Sequence, residues 1–97
     1  MTDARAFLVE RYWPGASTEE FRAATERLAA SLGELSASGV DIELLHSTYV
    51  PTDEAAQWVV RALSAEVVQD ACASAAVPYQ RLLPAVDSTF GTRADPR

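Results

Sequence analysis

Along this chain the spacing of apolar residues switches between a two-residue and a three-to-four-residue period, and each switch marks an element. From Arg5 to Tyr12 the run Ala6-Phe7-Leu8-Val9 is short and apolar, and Trp13-Pro14-Gly15 stops it, which predicts a first strand. Ser17-Thr18-Glu19-Glu20 has the form of a capping box, in which the serine oxygen and the glutamate three residues later each satisfy a backbone N–H. A helix therefore begins there. Phe21, Ala24, Leu28, Leu32 and Leu35 recur at helical spacing while Arg22, Glu26, Arg27 and Glu34 fall off that stripe, and Gly39 stands where a helix ends.

Val40 to Val50 alternates in its first half, with Val40, Ile42 and Leu44 set against Asp41 and Glu43, and stops at Pro51; this is a second strand. Thr52-Asp53-Glu54 forms a turn into Gln57-Trp58-Val59-Val60-Arg61, whose branched and aromatic content predicts a third strand paired with the second. Ser64 caps a second helix with the apolar stripe Val67, Val68, Ala71, Cys72 and Ala75, ended by Val77-Pro78. Tyr79 to Val86 is the last strand, and Pro84 points to an edge position or a strand end. Residues 88–97, polar apart from Phe90, read as a flexible tail behind a single domain spanning 1–87.

The order β, α, β, β, α, β with right-handed crossovers gives an α+β domain of ferredoxin-like topology, one antiparallel sheet with both helices on one face. Strand parity then sorts the side chains. Phe7 and Val9 face the helices, turning Leu8, Glu10 and Tyr12 to the uncovered side. The same logic sends Glu43, Leu45, Ser47 and Tyr49 there from the second strand. Tyr79, Arg81 and Leu83 follow from the last, since Arg81 is costly beneath a helix. So many large apolar groups on one face predict a homodimer closed through it, in the manner of a dimeric α+β barrel.

Composition narrows the rest. The 97 residues suffice for one modest core, and 48% hydrophobic with 23% charged residues is globular rather than disordered. Eight basic against fourteen acidic residues give a net charge of −6, and the basic residues do not cluster, so nucleic acid and membrane surfaces are not expected partners. A single Cys72 forms no internal disulfide, and no apolar leader is recognised at the start, which together predict a cytoplasmic protein. The alanine and arginine bias points to a GC-rich bacterial genome.

Three groups offer chemistry. His46, the one imidazole, is the candidate metal ligand, with Ser47, Asp53 or Glu54 as possible helpers. Parity sets it beside Leu44 on the helix side, where a hydrogen-bonded packing histidine is the plainer reading; a bulge before His46 would reverse that parity. Glu10 and Arg81 are expected to be neighbours, because first and last strands lie side by side in this topology. They form either an ordinary cross-strand ion pair or a catalytic pair, with Glu10 as base and Arg81 holding an anionic oxygen. The pocket around them would be lined by Leu8, Tyr12, Leu45, Tyr49, Trp58 and Leu83. Cys72 lies on an apolar stripe with no basic neighbour and reads as a small buried hydrophobe. Trp13 is expected to lie as a lid over the sheet edge.

Several short motifs resemble a known family. Phe7-Leu8-Val9-Glu10-Arg11, Pro14-Gly15, Leu45-His46-Ser47 with Val50, Ala62 with Ser64-Ala65-Glu66-Val67, and Val77-Pro78 with Arg81 follow its order over roughly residues 5 to 87. The chain resembles small actinobacterial proteins long known as a domain of unknown function and described as nickel-binding or nickel-responsive. That resemblance implies a ferredoxin-like monomer, a dimer and bound nickel or another divalent metal, with no organic cofactor. Many members carry additional metal-type side chains, whereas this chain has one histidine and one cysteine.

Two functions follow as expectations. One is a small dimeric binding protein for a divalent metal such as nickel. The other is a small dimeric enzyme, a cyclase, isomerase or cofactor-free oxygenase acting on an aromatic or polyketide-like molecule in the open-face pocket. No Cys-x-x-Cys loop, basic aromatic strand pair, glycine-rich phosphate loop, Gly-x-Ser-x-Gly elbow or His-Glu-x-x-His helix is present to suggest other chemistries.

Overall fold

In the computed structural model, which describes residues 4–86, the chain forms β1 (Arg5–Tyr12), α1 (Thr18–Ala37), β2 (Ile42–Val50), β3 (Ala55–Ala62), α2 (Ala65–Ser74) and β4 (Arg81–Ala85). The strands make one antiparallel sheet in the order β2-β3-β1-β4. This is the ferredoxin-like α+β layout.

Both helices begin and end as their sequences dictate. Ser17 accepts from the Glu20 N–H at 3.0 Å while the Glu20 carboxylate accepts from the Ser17 N–H at 2.8 Å, and Ser64 caps α2. At the other end of α1, Gly39 takes φ +101°, so that its N–H reaches the Ser36 carbonyl and the Val40 N–H reaches that of Leu35. Helix α2 ends with the same pair of bonds, but Ala76 occupies the left-handed position at φ +58°. Arg27 of α1 compensates there. Its guanidinium donates to the carbonyls of Ala75 and Ala76 at 2.9 and 3.2 Å, supplying the positive charge that the last turn of α2 lacks.

The core lies between the helices and one face of the sheet. Phe7 and Val9 of β1, Ala56, Trp58, Val60 and Ala62 of β3 and Ile42 of β2 meet Ala24, Leu28 and Leu32 of α1 and Val68, Ala71 and Cys72 of α2. The buried Ser31 hydroxyl donates to the Ala71 carbonyl at 3.2 Å and ties the helices together. Trp13 directly follows β1. It is half-buried against the core, with the Arg11 guanidinium 3.6 Å above its ring.

One irregularity reorganises β2. Leu44 pairs with Val60 and His46 with Val59, so Leu45 is an extra residue bulged out of the ladder. Every position beyond it changes face. Ser47 and Tyr49 pair with Trp58 and Ala56, which corrects their expected place on the uncovered side; His46 and Thr48 are turned there instead, opposite Val59 and Gln57. Strand β4 is also shorter than expected, because Tyr79 precedes it and packs against the core.

Candidate functional site

The sheet face away from the helices collects most of the residues singled out above. Leu8 sits between Val59 and Leu83 in register, and Glu10 between Gln57 and Arg81. Val59, on the inner strand β3, is buried although it faces away from the helices. Leu83 remains 37% exposed and Tyr12 58%. Leu45 belongs to this side as well, since the bulge leaves it over a hollow of about 470 Å³ shared with Ala6, Arg61 and Ala85.

Glu10 and Arg81 are neighbours as the topology requires. The Arg81 Nε donates to Glu10 Oε1 at 2.7 Å, and Gln57 Nε2 donates to Glu10 Oε2 at 3.1 Å. Both carboxylate oxygens are thus engaged. The Arg81 hydrogen bond, aided by that of Gln57, outweighs partial desolvation and holds the Glu10 carboxyl below the usual glutamate range. At one end of the face the Tyr12 hydroxyl donates to Glu54 Oε1 at 3.0 Å, and this bond raises the phenol pKa. At the other, Arg61 binds Asp41 at 2.7 Å and Glu43 at 3.1 Å.

A folded-state pKa held down in this way gives stability that is present above the unfolded value of about 4.3 and is lost as pH falls through the folded value. Glu10→Gln should therefore destabilise the protein near neutrality and match wild type at the acid end. The pair is partly exposed, so the difference should stay below about 1 kcal/mol. Thermal melts of both proteins between neutral and strongly acid pH will measure it; a gap that widens on acidification would contradict the assignment.

Two expected pocket residues lie elsewhere. Trp58 is fully buried on the helix side, stacked on Phe21 at 5.6 Å, with its Nε1 donating to Thr25 Oγ1 at 2.9 Å. Tyr49 also stacks on Phe21, at 5.6 Å, and its hydroxyl donates to the carbonyls of Trp13 and Ala16. The aromatic walls imagined around Glu10 are therefore part of the core. Leu8, Tyr12, Leu45 and Leu83 remain on the open face.

The bulge puts exposed His46 on that face too, beside Val59. The helpers proposed for it do not gather there. Ser47 faces the helices, and Asp53 and Glu54 lie in the turn beyond Val50, which is itself about 13 Å along a strand that rises about 3.3 Å per residue. Among the described residues no three of His, Cys, Asp and Glu come together closely enough to hold a metal ion. The described residues of one chain thus bring no such cluster to His46. Cys72 is buried on the core side of α2, and burial pushes its thiol up to about 11, which suits packing rather than reaction.

Comparison with known proteins bears on the fold. The structure is similar to the crystal structure of SCO4226 from Streptomyces coelicolor A3(2), with a TM-score of 0.72 at 14% sequence identity, covering 86% of this chain and 98% of that one. The likeness extends over the whole ferredoxin-like layout. No protein-family model matches the chain, and no curated protein matches it. Among the described residues no helix is long and apolar enough to cross a membrane.

Proposed function

We propose that this protein is a small binding protein that works as a homodimer paired through its open sheet face, with a divalent metal such as nickel as its ligand. The observation that carries the reading is the bulge at Leu45, which turns the one histidine onto the same face as Leu8, Val59 and Leu83. An apolar face bearing an imidazole at its margin suits a pairing in which two copies bring their histidines to a shared site. The motif resemblance to nickel-binding proteins favours the same ligand. Because the described residues of one chain gather no ligand set, the ion is held between chains in this reading.

The catalytic reading draws little from the same face. A general base works best with a pKa near the operating pH, whereas Glu10 is held low by its hydrogen bonds from Arg81 and Gln57.

Titration calorimetry with nickel tests the proposal on the full chain. The expected result is saturable binding of one ion per two chains, abolished by His46→Ala. Binding that is unchanged in His46→Ala, or absent at neutral pH, would overturn it.

A further inference from the structure

On the opposite side of β2 from the open face, between that edge strand and the first half of α1, the structure forms a cleft of about 380 Å³ that the metal reading does not use. Its size lies at the lower end of the roughly 300–1,000 Å³ typical of small-molecule sites. Phe21 and Tyr49 form an aromatic wall, stacked 5.6 Å apart at 23° and backed by Trp58. Arg22, Thr18, Thr25 and Ser47 supply the polar lining.

The chemistry of that lining is one-sided. None of the lining residues is acidic, although the chain carries a net charge of −6. Arg22 makes no ion pair among the described residues, so its five N–H donors are uncommitted. Thr25 Oγ1 already accepts from the Trp58 indole, which leaves its own proton to donate. Tyr49 has spent its proton on backbone carbonyls and presents only its ring. Donors without a competing carboxylate select an acceptor-only group, and the stacked rings beside them select a flat apolar body.

We infer that this cleft binds a small aromatic carboxylate, its ring against Phe21 and Tyr49 and its carboxylate on Arg22 and the threonine and serine hydroxyls. The site lies between α1 and the edge strand, and of its lining only Thr48 is turned to the proposed dimer face. It also adjoins a built-in reporter, because Trp58 touches both Phe21 and Thr25.

Benzoate is the probe, with benzyl alcohol as its uncharged counterpart and inorganic phosphate as an anion without a ring. Tryptophan fluorescence should change saturably with benzoate, at least tenfold more weakly with benzyl alcohol and not at all with phosphate. Arg22 is exposed on the helix, so Arg22→Gln should fold normally by circular dichroism and weaken benzoate at least tenfold. Amide shifts in an NMR titration should concentrate at Thr18, Arg22, Thr25 and Ser47. Equal binding of benzoate and benzyl alcohol, wild-type affinity in Arg22→Gln, shifts centred elsewhere, or no saturable binding would each overturn the inference.

Discussion

Trp58→Ala should lower the stability of the fold by several kcal/mol, a large share of what a domain of this size holds. The side chain is fully buried, stacks on Phe21 at 5.6 Å and donates its Nε1 proton to Thr25. Removing an indole from a packed interior costs about 3–5 kcal/mol, through lost transfer free energy and the cavity left behind. Domains of this size hold only about 5–15 kcal/mol in all. Urea denaturation followed by far-ultraviolet circular dichroism should show that loss. Trp58→Phe should keep most of the ring contact and lose the Thr25 bond, costing about 1–2 kcal/mol. The experiment also separates two placements of this residue. A tryptophan lining an open-face pocket would cost little stability when truncated, so a loss below about 1 kcal/mol would restore the sequence-based expectation.

That expectation erred for a physical reason that can be located in β3. Trp58, Val59 and Val60 are consecutive and all buried, so alternation by hydrophobicity is erased at the centre of the strand. The usable signal lay in its polar members. Gln57 and Arg61 share one parity with Val59, and a glutamine and an arginine belong on the face without helices; Ala56, Trp58, Val60 and Ala62 then fall together in the core. The same reasoning would have found Gln57 as the second partner of Glu10. In β2 the difficulty was different. A bulge adds one residue without any compositional mark, and period-two logic that is right up to Leu45 is inverted from His46 onward. The helices, by contrast, were legible almost to the residue. Their capping box, their stripes and Gly39 are local chemistry, and so they do not depend on a register set by distant strands. The Glu10–Arg81 contact was legible as well, because topology alone makes β1 and β4 neighbours.

If the open face pairs two copies, Leu83→Glu should convert a dimer of 10.5 kDa chains into a folded monomer. Leu83 is the residue to change because it is exposed on an edge strand, opposite Leu8 and remote from the helices. A charge at Val59 would instead be buried within the chain and would unfold it. Four strands about 4.8 Å apart and five to nine residues long present a face of only some hundreds of Å². Stable interfaces bury about 800 Å² per partner, so the contact must use nearly all of this face and leave no room to step around a charge. Two-fold pairing brings a copy of each face against the other, and a carboxylate at position 83 is then desolvated in both copies without a new partner. Arg81, two residues away, is already committed to Glu10. The dissociation constant should rise at least about a hundredfold, near 2.7 kcal/mol. Sedimentation equilibrium at micromolar concentration will read the masses, and thermal melts will establish that the variant remains folded. A wild type that sediments as a monomer, or a Leu83→Glu variant that stays a dimer, would place any self-association on another surface.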